Sequence, residues 1–295
     1  MNWTTDNITS QNGKVVLVTG ANTGLGYETA LELAKKEAFV ILAGRNREKI
    51  AAAIQRIKQQ YPSAKLEPGL VDLSDLSSVK AFAESVISKH NRLDVLINNA
   101  GVMFPPPGKT KDGYELQFGV NFMAHFALTA HLFGLLNTTP HSRVVTLSSI
   151  AHRNGAIDFD NLKLEKPFDK FREYGQSKVA DLIFTLEMQR RLERNNSGTI
   201  SVGAHPGISK TELLRTDKPE MIHQFPHMSA NQGAFSSLYA ATHELEGGEY
   251  IGPNGEDELT GYPAPAYIAD YAKNEEIGLR LWEYANASMR LDFLA

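Results

Sequence analysis

From Lys14 onward, short β-branched runs alternate with longer stretches of helical period, and no other feature of the chain constrains its fold as strongly. The runs Val15–Thr19, Phe39–Ala43, Lys65–Leu70, Val95–Asn98, Val144–Ser148 and Ile200–Ala204 read as strands, with a further short one near Glu249–Ile251. Between the first two, Leu25, Ala30, Leu31 and Ala34 recur at spacings that place apolar groups on one helical face. Asn46–Tyr61 and Ser74–His90 show the same habit, the latter with Ser74 as its cap, and Gly113–Leu136 and Phe171–Asn195 are longer helical stretches. Strand and helix in regular succession give an α/β chain: a single Rossmann-like, doubly wound domain with a mostly parallel central sheet of about seven strands and helices on both faces.

The chain has 295 residues, 42% of them hydrophobic, enough for one large core, so residues 1–295 are expected to form one domain. Residues 1–13 read as a polar N-terminal extension, 208–228 as a substrate loop and 244–295 as a C-terminal extension. The net charge is −4, with no stretch of clustered Lys and Arg interleaved with aromatics, so a nucleic-acid partner is not expected. Cysteine is absent, which removes disulfides, thiolate nucleophiles and thiolate metal sites together. The nine histidines show no metal-ligand spacing such as His-Glu-x-x-His, so no metal is expected. No Gly-x-Ser-x-Gly elbow marks a serine hydrolase. The amino terminus lacks a hydrophobic signal core, no apolar run approaches the roughly 20 residues of a membrane span, and a soluble, cytoplasmic protein without a membrane anchor is expected. Asn-x-Ser/Thr triplets, as at Asn7 and Asn286, are given no weight without a secretory route.

Directly after the first strand stands Thr19-Gly20-Ala21-Asn22-Thr23-Gly24-Leu25-Gly26, feeding a helix. A glycine-rich turn at a helix amino terminus lets backbone N–H groups approach a pyrophosphate, whose charge the helix dipole favours. A Cβ would block that approach. The loop after the second strand meets the adenosine ribose in such a fold, and here it carries Arg45, with Arg47 in support. A guanidinium suits a dianionic 2′-phosphate, whereas a carboxylate would suit a free 2′-hydroxyl. The reading is NADP(H) in preference to NAD(H).

Tyr174-Gly175-Gln176-Ser177-Lys178 lies early in a helical stretch, and a spacing of four puts Tyr174 and Lys178 on one face. Free tyrosine, with a pKa of about 10, is a poor base at neutral pH. A neighbouring ammonium favours the phenolate, which can then exchange a proton with a substrate oxygen. Ser149 ends the fifth strand at the same sheet edge as the glycine turn, and Asn121 lies in the preceding long helix. Of Ser148 and Ser149, strand alternation sends only one toward the site.

The Gly-x-x-x-Gly-x-Gly spacing of the turn resembles the short-chain dehydrogenase/reductase family. Later residues extend the resemblance over roughly residues 14–241. Asp72-Leu73, after the third strand, stands where that family contacts the adenine ring, and Asn98-Asn99-Ala100-Gly101 matches its Asn-Asn-Ala-Gly element. Asn121, Ser149, Tyr174 and Lys178 match its Asn-Ser-Tyr-Lys tetrad, with Ser149 as the aligned serine. His205-Pro206-Gly207-Ile208-Ser209-Lys210-Thr211 resembles the Pro-Gly-x-x-x-Thr element that holds the nicotinamide carboxamide. The long gap from Ser149 to Tyr174, together with Asp112-Gly113-Tyr114-Glu115 and Val120-Asn121 through His125-Phe126, looks like the retinol-dehydrogenase-like and WW-domain-oxidoreductase-like branch.

The resemblance implies direct hydride transfer between nicotinamide C4 and a carbinol carbon, with Tyr174 handling the oxygen's proton. It further implies that Ser149 steadies that oxygen, Lys178 binds the nicotinamide ribose and acidifies the tyrosine, and Asn121 positions a water linking Lys178 to solvent. Gly20, Asn22, Thr23, Gly24, Leu25, Gly26, Arg45, Asp72, Leu73, Asn99, Ala100, Gly101, Tyr174, Lys178, Pro206, Gly207, Ile208 and Thr211 are the implied cofactor contacts. The activity is then that of a carbonyl reductase or alcohol dehydrogenase. The alternative is a non-catalytic NADP-binding sensor on the same fold, against which the intact tetrad argues. A nucleotide-sugar epimerase would need a longer carboxyl-terminal substrate domain.

Two interruptions, Phe104–Lys111 with three consecutive prolines and Ile150–Lys170, each follow the carboxyl end of a strand and read as walls of the site. Met103, Phe104 and those prolines, with Leu213, Leu214, Met221, Ile222, Phe225 and Met228, suit a pocket for a bulky apolar or aromatic small-molecule substrate. A role in specialised metabolism is compatible with this. Retinol itself is not expected, because the retinoid enzymes of this branch carry amino-terminal anchors. Pro263–Ala269 and the helix-like Gly278–Leu291 carry no motif and read as a lid or as the contact of a homo-oligomer.

Overall fold

A computed structural model describes residues 2–211 and 225–294. Eight strands form one sheet in the order β3-β2-β1-β4-β5-β6-β7-β8. They are β1 (Val15–Thr19), β2 (Phe39–Gly44), β3 (Lys65–Leu70), β4 (Val95–Asn98), β5 (Arg143–Leu147), β6 (Ile200–Ala204), β7 (Tyr250–Pro253) and β8 (Pro263–Pro265). The first seven pair in parallel; β8 runs antiparallel to β7. The eighth strand exceeds the expected seven because three residues with two prolines give no strand signal, and proline is tolerated there only because the strand is an edge. The fifth strand ends at Leu147, so Ser148 falls just beyond it, although its N–H still bonds the Ala204 carbonyl.

Helices cover both faces. On one, α1 (Gly24–Lys35), α2 (Arg47–Gln60) and α8 (Phe235–Thr242) bury Tyr27, Ala30, Ile50, Ile57 and Leu238 against Val16, Val18 and Val40. On the other, α3 (Leu76–Lys89), α5 (Ala124–Asn137), α6 (Lys170–Arg194) and α10 (Glu275–Met289) meet Leu17, Ile41, Leu96 and Val144. Short helices α4 (Leu116–Phe118), α7 (Ala230–Gly233) and α9 (Asp270–Lys273) complete the shell. Helix α3 is capped by Asp75, not Ser74: the Asp75 carboxylate accepts the N–H groups of Ser77 and Ser78, while Ser74 donates to Asp72.

The closing helix is core on one face, while Leu279, Arg280 and Glu283 on the other stay exposed. Trp282 of α10 is buried and stacks on Phe184 and Phe293, so this helix seals the core. The polar N-terminal stretch is docked as well, with Ile8 buried and Trp3 set edge-on against Phe235 and Tyr239. Among the described residues one helix, Leu116–Asn137, is long and apolar enough to cross a membrane, and 72% of that apolar window lies inside the fold. Its charges are few because neighbours cover it, as in the core helix of a large fold.

Candidate active site

The strand order reverses between β1 and β4, so the loops after these two strands diverge and open a crevice at the carboxyl edge of the sheet. The glycine turn occupies it. Gly20 and Gly24 have φ of +67° and +56°. A Cβ on Gly26 would collide with the Gly20 carbonyl and lie 2.5 Å from Asn99 Nδ2. The turn is thus closed to any side chain at Gly26, and its backbone N–H groups head α1.

The flanking residues converge on it. Asn99 donates its side-chain amide to the Thr19 carbonyl at 2.7 Å, and a Cβ on Gly20 would lie 3.0 Å from Ala100 Cα. Thr211 stands across from Gly24, 3.4 Å from where its Cβ would lie, so the segment after β6 returns to the glycine turn. Asn22 Oδ1 sits 3.2 Å from the corresponding position on Gly44, at the end of β2. Beside it Arg45 is exposed and makes no hydrogen bond or ion pair among the described residues. Asp72 spends one carboxylate oxygen on Ser74 N–H and Oγ–H. Leu73 is buried next to it, and Pro206 and Gly207 follow β6 in a turn packed on Leu259.

Tyr174 and Lys178 project from one face of α6, with Lys178 Nζ 6.0 Å from the phenol ring centre. That nitrogen also lies 3.9 Å from where a Cβ on Gly101 would stand, which brings the pair to the edge of the glycine crevice. Ser148 and Ser149 divide as alternation requires: Ser148 is buried and donates to the Lys178 carbonyl at 2.6 Å, whereas Ser149 is partly open and caps the 3-10 turn Ile150–Asn154. Gly155, which ends this turn, meets the Gly175 carbonyl in the second turn of α6 so closely that no Cβ would fit.

Asn121 lies in a π-helical turn, Gly119–Met123, that interrupts the long helix between α4 and α5. Its amide accepts Val102 N–H and donates to Val102 C=O and Ser177 Oγ, and Ser177 in turn donates to the Tyr174 carbonyl. Asn121 is therefore a clamp between the loop after β4 and the tyrosine's helix.

Four residues of the site escaped the sequence reading. Thr19 Oγ1 accepts the N–H groups of both Asn99 and Ala100 at 2.9 Å and donates to His125 Nε2 at 3.0 Å. His125 passes its own Nδ1–H to the Asn121 carbonyl at 2.7 Å, so the network assigns one neutral tautomer. Burial, then Lys178, drives its pKa down to about 4. Asp181 is buried against Lys178, its Oδ2 accepting from Nζ at 2.8 Å while Leu147 C=O accepts at 3.0 Å. Burial opposes the charge on Lys178, yet Asp181 and Tyr174 outweigh it and raise the ammonium's pKa. For Asp181 burial wins over the ammonium's pull, and its carboxyl is pushed up to about 7. Phe171 packs with Phe104 at 4.7 Å, and Phe104 meets the Tyr174 ring at 5.4 Å, both edge-on, forming an apolar wall beside the phenol. Of the sequence-derived pocket, Leu213, Leu214, Met221 and Ile222 lie outside the described residues; Phe225 is exposed and Met228 buried.

Comparison with known proteins places this arrangement. The model of the family described as short chain dehydrogenase matches residues 14–221. Human retinol dehydrogenase 11 is 40% identical over 92% of this chain and 84% of its own length, and mouse retinol dehydrogenase 13 is 39% identical over 92% and 82%. A crystal structure of an uncharacterised protein from Mycobacterium paratuberculosis superposes with a TM-score of 0.85 at 36% identity, covering 99% of both chains. A short chain dehydrogenase from Burkholderia cenocepacia, solved in complex with NADP, shares the fold at a TM-score of 0.66 and 22% identity, covering 81% of this chain and 95% of that one. The glycine turn, the Tyr174–Lys178 pair and these likenesses agree, and the chain belongs to the short-chain dehydrogenase/reductase family, in its retinol-dehydrogenase-like branch.

Proposed function

We propose that this oxidoreductase interconverts a primary or secondary alcohol and the corresponding aldehyde or ketone on a bulky apolar substrate, with NADP(H) as its cofactor. One observation carries the reading: an ammonium and a phenol, 6.0 Å apart from nitrogen to ring centre, stand together at the rim of a glycine cradle. The cradle fits a dinucleotide, since Gly20 and Gly24 take left-handed backbone conformations and Gly26 packs on the Gly20 carbonyl, closing a tight turn at the head of α1, where the helix dipole favours a pyrophosphate's charge. Bound there, the nicotinamide would supply the acceptor or donor of the hydride.

The chain's own residues do the rest. Gly20 to Gly26, Asn99 to Gly101, Asp72, Leu73 and the Pro206 to Thr211 segment would bind the dinucleotide, with Arg45 on a 2′-phosphate. In oxidation the Tyr174 oxygen takes the proton of the substrate hydroxyl; in reduction it returns one to the carbonyl oxygen. Ser149 Oγ donates to that oxygen and holds it in place. Lys178 keeps a positive charge beside the phenol, and Asn121 fixes the helix that carries both. Phe104 and Phe171 form an apolar wall beside the phenol, which suits an apolar alcohol better than a small polar one. The names of the curated relatives, dehydrogenases of an apolar alcohol, support the same class.

Initial rates with NADPH and NADH, for the wild type and Arg45→Ala, on a panel of bulky aromatic and small polar carbonyls, test the proposal. NADPH-dependent turnover of the bulky substrates is expected, lost in Tyr174→Phe. Turnover that survives Tyr174→Phe rejects it, as does turnover confined to small polar substrates.

A further inference from the structure

Tyr174, Lys178 and Asp181 are spaced by four and then three residues, so they line one face of α6 over two turns. Asp181 is 1% exposed and Lys178 6%. Their ion pair, Oδ2 to Nζ at 2.8 Å, is therefore out of water. Three other buried carboxylates are bound by several donors: Asp94 accepts Val15 N–H and two Arg92 nitrogens, Glu173 accepts Asn161 and Arg172, and Glu187 accepts Arg190 and Arg191, whereas Glu32 pairs with Lys35 and Glu115 caps α4 through Phe118 N–H. Asp181 has a single donor, Lys178, and its Oδ1 finds no partner among the described residues.

Stability gives little reason to keep such a group. Burying a charge that is satisfied by one hydrogen bond is costly, and an aspartate in mid-helix has poor propensity besides. The arrangement makes sense as a device that acts on the lysine.

Resting on the reading that Tyr174 and Lys178 carry the proton chemistry, we propose that Asp181 is a positioning residue: it fixes the Lys178 ammonium between Leu147 C=O and its own carboxylate, and it sets the pH window in which the pair works. A carboxylate raises the pKa of every acid near it, phenol and ammonium alike, because each then loses its proton against a negative charge. With Asp181 ionised, the acid limb of alcohol oxidation, where the phenol must be deprotonated, and the alkaline limb, where the ammonium must stay charged, both stand at higher pH than they would without it. The other titratable groups that act on this cluster are His125 from α5, which Lys178 opposes, and Tyr250 from β7, whose phenol feels Asp181 and, through Glu258 and Arg153, the surface. Neither residue is substituted in the Asp181 variants, and burial, the largest cause for both, keeps the Tyr250 phenol raised and the His125 imidazole lowered in each of them.

The test is the pH dependence of kcat for alcohol oxidation by the wild type, Asp181→Asn and Asp181→Glu, with Asp181→Thr as a second neutral variant. A charge on the order of 8 Å from the phenol, at the effective dielectric of about 20 that suits protein sites, moves the acid limb by about 1.5 pH units, and the alkaline limb moves further because the same charge lies 2.8 Å from the ammonium. Both limbs are expected to move down in the neutral variants, the alkaline one by more, and to stay in place in Asp181→Glu. Without cofactor, the tyrosinate absorbance that Tyr174→Phe abolishes should rise at lower pH in Asp181→Asn than in the wild type. A lower rate with unmoved limbs overturns the proposal, as does failure of both neutral variants to fold while Asp181→Glu folds, since either makes the carboxylate structural. Turnover by Tyr174→Phe would instead sink the underlying reading of the site, and is distinguishable from both.

Discussion

Acidification should weaken the fold through His125, and by an amount the structure allows to be worked out. The imidazole is 2% exposed, gives its Nδ1–H to the Asn121 carbonyl and takes the Thr19 hydroxyl proton at Nε2. Protonation would place a second N–H against Thr19 Oγ1, whose lone pairs already hold Asn99 and Ala100 N–H. The hydroxyl hydrogen would have to turn away, to Ile97 C=O at a long 3.4 Å. Burial and Lys178 therefore depress the folded pKa from an ordinary 6.5 to about 4. Between these values the unfolded chain binds a proton here and the folded chain does not, so stability falls as pH falls through this window and is intact above it. From pH 7.5 to pH 5 the loss is about 2 kcal/mol, or about 4 °C in Tm for a chain of this size. His152 and His205 are buried with lowered pKa as well and add a background. The assay is consequently a difference: thermal unfolding at pH 7.5 and pH 5 for the wild type and His125→Asn, whose amide can still donate to Asn121 C=O. The wild type should lose about 4 °C more than the variant. Equal losses in the two proteins would refute the reasoning, whatever their absolute stabilities.

Three further outcomes follow from the site. Gly26→Ala puts a methyl against the Gly20 carbonyl and Asn99, and should weaken dinucleotide binding at least about tenfold in a fluorescence titration, with the circular dichroism of the fold retained. Arg45→Ala should raise the Kd for NADPH by about tenfold and leave that for NADH unchanged, the loss expected for a charge-assisted contact to a 2′-phosphate. Tyr174→Phe should lower kcat by a factor of about 10² to 10⁴ while dinucleotide affinity is kept, read by steady-state kinetics beside direct binding.

What could be read from the chain before its structure was the part governed by local rules. Strands β1, β4 and β6 are legible to the residue because buried parallel strands are continuous apolar runs rich in β-branched residues, such as Val15–Thr19, whereas β3, an exposed edge strand of sequence Lys65–Leu70, is legible only from its place between two helical stretches. The glycine turn and the Tyr174–Lys178 spacing were legible because their geometry is local: one turn, one helical face. Ser74 and Asp75 are both residue types that cap helices, and only the backbone direction selects Asp75. The π-turn at Gly119–Met123 has no local signature; Gly119 permits it by packing against Thr110 so closely that no Cβ would fit. The closing helix looked unattached because its partners, Phe126 and Phe184, lie about 100 residues or more away in the chain.

The residues that escaped share a cause deeper than distance. Thr19, His125 and Asp181 sit in stretches whose apolar neighbours explain the local pattern completely, so a polar residue among them reads as noise. The structure shows Thr19 and His125 instead as links of one connected system, while Asp181 pairs with Lys178. Thr19 ties the end of β1 to the loop after β4, His125 ties Thr19 to the π-turn, Asn121 ties that turn to Ser177, and Ser177 ties it to the Tyr174 backbone. Every link from Thr19 to Tyr174 beyond the part-buried Asn99 N–H is buried, so those bonds cannot trade a partner for water, and breaking one leaves two polar groups unsatisfied. The glycine cradle and the helix bearing Tyr174 and Lys178 are thereby held in one register across three strands of the sheet. Proton exchange at a positioned oxygen tolerates little displacement, and a network of unexchangeable bonds between cradle and helix meets that requirement where a hydrophobic contact, indifferent to sliding, would not.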